Sequence, residues 1–315
     1  MSCRGEKYLW NKIEISQTDE GSNNVIDTIN IDELKNRCLE ILNNGIHGLC
    51  FSLYEDNQKP GDIISVEQVE RRMNILKPHT QWIRSFSCIE GNEHIPKVAK
   101  KAGLNTLVGA WLSDNLDNNE KEIKSLVNMA HEGLVDIAAV GNEVLYRNEL
   151  SKSQLLQYLK RVKEAIPADI PVGYVDAYYE FTDHPDLAEA CDVILSNCYP
   201  FWEGCPLEYS LEHIKSMVRQ TEMAANGKKM IITETGWPSL GDSLKGAVAN
   251  YENFLKYFIN IQLWSVSHNI EVFYFSSFDE SWKGSSEPLE PEKHWGLFNI
   301  DRTPKMAVRK LIQQE

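Results

Sequence analysis

Two glutamates end apolar runs in this chain: Ile137-Ala138-Ala139-Val140-Gly141-Asn142-Glu143 and Met230-Ile231-Ile232-Thr233-Glu234. A carboxylate at the end of a buried run gives up much of its hydration, so two such placements mark candidate sites for chemistry. Either glutamate alone is more often a loop carboxylate or half of a structural ion pair; together they suit the cleavage of a glycosidic bond. That reaction uses one carboxyl as acid and then base, and in the retaining form a second carboxyl about 5 to 5.5 Å away as nucleophile. Gly236, Trp237 and Pro238 follow the second glutamate and fit a sharp chain exit with an aromatic platform beside the site.

Elements able to hold two such groups face to face are visible along the chain. Eight short runs rich in Val, Ile and Leu centre on Gly48 to Leu53, Trp82 to Phe86, Thr106 to Trp111, Ile137 to Val140, Pro171 to Val175, Val193 to Asn197, Met230 to Thr233 and Val272 to Phe275. They read as strands buried on both faces. Amphipathic stretches separate them: Val66 to Leu76, Glu93 to Lys101, Asn119 to Glu132, Lys152 to Ala165, Asp186 to Cys191, Leu211 to Ala225 and Ala247 to Ser267. Ser65 precedes one as a capping residue, and Ser151 with Gln154 forms a capping-box pattern on another, which Pro167 stops. Eight β/α units predict a single α/β domain, a (β/α)8 TIM barrel over residues 46–315, with the two glutamates at the ends of strands 4 and 7. Residues 1–45 form a lead in which Ile31 to Leu42 reads as a helix closing the barrel bottom, and residues 16 to 28 as an ordered loop or a frayed arm.

The 315 residues carry 32 basic against 46 acidic side chains, a net charge of -14, which disfavours nucleic acid and anionic lipid as partners. No apolar run approaches the roughly 18 residues of a membrane span. Seven cysteines, an odd number and several within apolar runs, together with a polar start at Met1 to Lys7, lead to the expectation of a cytoplasmic protein, or a secreted one if a leader was removed. The histidines show no HExxH spacing, the cysteines no zinc-site pairs, and neither a phosphate loop nor a GxSxG elbow is present. Catalysis with no cofactor and no metal is the simplest inference. No oligomeric state is implied.

Val140-Gly141-Asn142-Glu143 and Ile232-Thr233-Glu234-Thr235-Gly236-Trp237-Pro238-Ser239 resemble glycoside hydrolase family 17, the β-1,3-glucanases and related glucanosyltransferases. The likeness extends through Trp82-Ile83-Arg84-Ser85-Phe86, Gly109-Ala110-Trp111-Leu112-Ser113, Asn197-Cys198-Tyr199-Pro200-Phe201-Trp202-Glu203-Gly204, Phe275 to Lys283 and His294 to Phe298. Trp202-Glu203-Gly204 and Val175 to Tyr179 look closer to microbial members than to plant ones. The resemblance implies Glu143 as acid/base and Glu234 as nucleophile of a retaining double displacement on β-1,3-glucan. It further implies Asn142 on the sugar 2-hydroxyl, Tyr199 as donor to the nucleophile, and Glu280 and Lys283 in hydroxyl recognition. Arg84 either braces a catalytic carboxylate or is an ordinary buried arginine paired to an acid. Of the aromatics after strands five to eight, Tyr178, Trp202 and Trp295 are expected to contact sugar, with Trp237 beside them, since a ring face removes the C–H face of glucose from water. Two alternatives use the same fold: a glucanosyltransferase with the same glutamates, and a non-catalytic glucan-binding protein, which has no need of both carboxylates.

Overall fold

The computed structural model describes residues 29–287 and 289–307. Eight parallel strands close into a barrel in chain order: β1 (Ile46–Cys50), β2 (Thr80–Ser85), β3 (Asn105–Ala110), β4 (Ile137–Asn142), β5 (Val172–Ala177), β6 (Ile194–Asn197), β7 (Met230–Thr235) and β8 (Val272–Tyr274). Around them run α1 (Ile31–Asn44), α2 (Val66–Leu76), α3 (His94–Lys101), α4 (Leu116–His131), α5 (Lys152–Ala165), α6 (Tyr178–Asp183), α7 (Pro185–Ala190), α8 (Leu207–Ala225) and α9 (Tyr251–His268). All eight expected strands are present as a (β/α)8 barrel. Among the described residues no helix is long and apolar enough to cross a membrane.

Local chemistry accounts for the helix boundaries. Ser65 caps α2 by accepting from the Gln68 amide, and Ser151 with Gln154 closes a reciprocal capping box on α5, which ends at Ala165 just before Pro167. Leu34, Cys38 and Leu42 form the buried stripe of α1, which packs against α9. The expectations for residues 16 to 28 and beyond residue 307 fall outside the described residues. Where one helix was expected over Asp186 to Cys191, the chain turns helical directly after β5 and forms α6 and α7, with Pro185 opening the second.

The strand ladder is irregular at three places, all near the carboxyl ends. Between Ala139 and Asn142, β4 carries one more residue than β5; β7 does the same opposite β6 near Asn197, and opposite β8 between Ile232 and Thr235. Such bulges turn side chains out of the regular alternation. They fall where Asn142, Asn197 and Glu234 stand. Gly141, at φ +84°, and Gly236 allow the exits: a β-carbon on Gly236 would lie 2.1 Å from the Phe275 carbonyl oxygen, a clash that no rotamer relieves.

Glu122 of α4 ties the loops after β2 and β3 together from behind. It is buried, accepts from the Ser87 hydroxyl and the Cys88 amide (2.7 Å), and is also bonded by the Trp111 backbone. Burial pushes its pKa up to about 7 from an ordinary 4.5, against the pull of those donors. The folded chain therefore holds a proton that the unfolded chain has lost between about 4.5 and about 7, so this group's contribution to stability falls as pH rises through that window. Denaturant titrations at pH 5 and pH 8 are expected to show the wild type losing about 3 kcal/mol through this group relative to Glu122→Gln, whose own pH dependence is flatter. Parallel curves for the two proteins would refute the assignment.

Candidate active site

Glu234 is buried at the carboxyl end of β7 and receives three side-chain donors. Arg84 of β2 gives Nη1 to Oε1 at 2.6 Å, Asn197 of β6 gives Nδ2 to Oε1 at 3.1 Å, and Tyr199 gives its hydroxyl to Oε2 at 2.6 Å. Arg84 is itself buried, with Nη1 also on the Thr233 carbonyl (3.0 Å), Nη2 on Asn142 Oδ1 (2.7 Å) and its guanidinium stacked 4.3 Å over Phe86. Two charges this deep hold only because each is paired and hydrogen-bonded. Both sequence readings of Arg84 therefore meet in one geometry: it is a buried strand arginine, and the acid it pairs with is Glu234. Below it the Cys50 thiol is pushed up to about 12, chiefly by burial.

Glu143 directly follows β4, half-buried, in the left-handed region at φ +52°. Its amide donates to the Val175 carbonyl of β5 at 2.8 Å, and the Arg147 amide closes the turn onto its carbonyl at 2.9 Å. Arg147 also donates Nη1 to the Asn142 carbonyl (2.5 Å) while lying 4.4 Å over the Trp111 ring, so the loops after β3 and β4 are clasped together.

One amide joins the two glutamates. Asn197 Nδ2 donates 2.9 Å to Glu143 Oε1 and 3.1 Å to Glu234 Oε1, so these oxygens stand no more than about 6 Å apart. That limit, set on the two facing oxygens, is compatible with the carboxyl spacing of about 5 to 5.5 Å in retaining glycosidases. Asn197 Oδ1 accepts from the Thr233 hydroxyl at 2.9 Å, which fixes the amide with its NH2 group toward the carboxylates. The sequence reading assigned Asn197 no part in this. The available signal was its place at the carboxyl end of β6, two residues before Tyr199.

Glu280 and Lys283 form a pair at the rim: Lys283 Nζ lies 2.9 Å from Glu280 Oε2 and 4.2 Å from the centre of the Phe275 ring, and Trp282 donates its indole N–H to Glu280 at 3.2 Å. Burial works against the Lys283 ammonium, but Glu280 beside it holds its pKa above the ordinary value. Phe275 in turn meets Tyr199 edge-on at 5.9 Å, so the pair adjoins the hydroxyl that serves Glu234.

The aromatic expectations need correction. Trp237 is fully buried, tilted against Tyr257 and bonded through its indole N–H to the Val248 carbonyl at 2.9 Å, so it is a core residue and no platform. Trp295 is also buried, wedged among Tyr199, Phe201 and Phe275 at 5.3 to 5.9 Å; it backs Tyr199 and presents no open face to a sugar. Tyr178 lies buried on α6 against Tyr179, and burial, then the charge of Glu203, pushes its hydroxyl up. Trp202 differs: it is half-buried, tilted 32° on Trp295 at 5.6 Å, and retains surface toward solvent.

Residues 48–296 match the BtgE/BtgC glycoside hydrolase domain. A glucan 1,3-β-glucosidase of Candida albicans is 26% identical over 287 residues, 82% of this chain and 92% of that one. The crystal structure of a glycoside hydrolase family 17 β-1,3-glucanosyltransferase from Rhizomucor miehei is 30% identical, with a TM-score of 0.74 over 83% of this chain and 96% of that chain. An active-site mutant of that β-1,3-glucanosyltransferase, solved in complex with laminaritriose, matches equally. An endo-laminarinase from Formosa, 20% identical with a TM-score of 0.69 over 84% of this chain and 86% of that one, shares the fold. With most of its length inside that domain, and with this likeness to a family member in three dimensions, the chain belongs to glycoside hydrolase family 17.

Proposed function

We propose that this protein cleaves β-1,3-glucan by retaining double displacement, with Glu234 as nucleophile and Glu143 as acid/base. The observation that carries the assignment is the Asn197 amide spanning two carboxylates whose facing oxygens are no more than about 6 Å apart at the mouth of the barrel. In the first step Glu234 attacks the anomeric carbon while Glu143 passes its proton to the departing glycosidic oxygen. In the second, Glu143 takes a proton from water or from a sugar hydroxyl, which attacks the same carbon and frees Glu234.

The surrounding groups suit these steps. Arg84, Asn197 and Tyr199 stabilise and aim the Glu234 carboxylate, and once a glycosyl–oxygen bond forms those donors remain on its oxygens. Asn142 has its side-chain oxygen committed to Arg84 Nη2, which leaves its NH2 group to donate to the sugar 2-hydroxyl. Glu280 and Lys283 offer an acceptor and a donor to hydroxyls at the rim, and Trp202 offers an apolar face. The six described cysteines are all buried and free, which supports a reducing compartment.

Transfer to a sugar acceptor is the second reading, favoured by the 30% identity to the Rhizomucor miehei glucanosyltransferase over nearly its whole length. Glu143→Gln and Glu234→Gln are each expected to keep the near-ultraviolet circular dichroism of the wild type and to lose about 10²- to 10⁴-fold in kcat on laminarin. Near-normal turnover in either variant would remove that residue from its role. Chromatography of products from defined laminari-oligosaccharides at rising concentration separates the two outcomes: water as acceptor yields only chains shorter than the donor, and a sugar as acceptor yields longer ones.

A further inference from the structure

Behind the turn that carries Glu143 lies a carboxyl group for which the mechanism above has no use. Asp176 of β5 is fully buried; its described partners are the Tyr174 hydroxyl, which donates to Oδ2, and the Ala177 amide, which donates to Oδ1 at 2.8 Å. Tyr174 is equally buried, and its hydroxyl oxygen accepts from the Leu145 amide at 3.0 Å. Tyr174 and Asp176 stand two apart on β5 and so share one face of the strand, on either side of Val175, whose carbonyl takes the Glu143 amide.

Burying a carboxyl with a hydroxyl and one amide for partners is costly, and a phenylalanine with an apolar neighbour would fill the same space without that cost. What the polar pair adds is the bond to Leu145. Glu143 sits in a left-handed backbone region that is unfavourable for a residue with a side chain, so the turn needs to be held from outside. β5 does so at two points, through the Val175 carbonyl at residue 143 and the Tyr174 hydroxyl at residue 145. Asp176 orients that hydroxyl: by accepting its hydrogen bond, it leaves the oxygen lone pairs for Leu145.

We propose that Tyr174 and Asp176 are positioning residues for proton transfer at Glu143, fixing its turn through the Leu145 amide. The inference rests on Glu143 being the acid/base. Burial first, and then the charge of Glu143, raises the Asp176 pKa well above that of an ordinary carboxyl, and Glu180 of α6 acts in the same direction.

The test exploits leaving groups. A laminari-oligosaccharide needs a proton delivered to its departing oxygen, whereas 2,4-dinitrophenyl β-laminaribioside expels its phenolate without help. Tyr174→Phe is expected to lower kcat/KM on laminaritriose about 10- to 100-fold and to leave kcat/KM on the dinitrophenyl substrate within about threefold of wild type. A similar loss on both substrates means general damage to the barrel and overturns the proposal, as does no loss on either. Should Tyr174→Phe not fold, Asp176→Ala, which removes the acceptor that orients the Tyr174 hydroxyl, is compared in the same way with the same criteria. Glu143→Gln measured on the same pair separates the underlying reading: retained activity on laminaritriose there defeats the acid/base role itself, while a loss there with none in Tyr174→Phe defeats only the positioning role.

Discussion

Two carboxyl groups held close together in a poorly solvated site, which cannot both ionise freely, are the constraint around which this molecule is organised. At the separation set by Asn197 and an effective dielectric of about 20, a pair of ionised carboxylates repel by roughly 3 kcal/mol, a large share of the stability of any domain. Offsetting that requires cations and donors, and no single segment can supply them. Arg84 comes from β2, Asn142 precedes Glu143 on β4, Asn197 and Tyr199 come from the end of β6, and Glu234 itself ends β7. Only a closed barrel brings those strand ends around one point, which is why the site belongs to the carboxyl end and depends on the register of the whole sheet.

That dependence gives the bulges and the aromatic packing their meaning. A regular ladder would send alternate residues inward and outward without regard to chemistry, whereas the extra residues in β4 and β7 shift the phase where Asn142 and Glu234 must turn toward the mouth. Behind Tyr199, the rings of Phe275, Trp295 and Phe201 meet mostly edge to face and leave the phenol little freedom to swing away from Glu234. The buried tryptophans thus serve the chemistry at one remove, by keeping a donor still.

The same distinction explains what was legible in the residues alone. Strand cores, the caps at Ser65 and Ser151, and the placement of Glu143 and Glu234 at strand ends are encoded locally, in alternation, spacing and single polar side chains. Whether a ring is a platform or a wedge is decided by what packs on it from other strands, and here sequence reasoning misplaced Trp237, Trp295 and Tyr178. Asn197 escaped for the opposite reason: one asparagine among many carries no signal until two carboxylates from distant segments converge on its amide. Arg84 was ambiguous in sequence because both of its readings are the same contact seen from different sides.

The choice between water and sugar as acceptor is not made by the carboxylates, since both acceptors surrender a proton to the same base and attack the same carbon. The free-energy difference needed is small: about 1.4 kcal/mol shifts the partition tenfold, less than one good contact between a sugar face and an indole supplies. Such a contact has to lie on the rim, where a ring keeps an open face, and not in the wedge that steadies Tyr199. Trp202, half-buried and leaning on Trp295, stands at that boundary, linked through Trp295 to Tyr199 on one side and open to solvent on the other. A change at Trp202 would therefore act on the acceptor side of the site and leave the Arg84, Asn197 and Glu234 centre as it is.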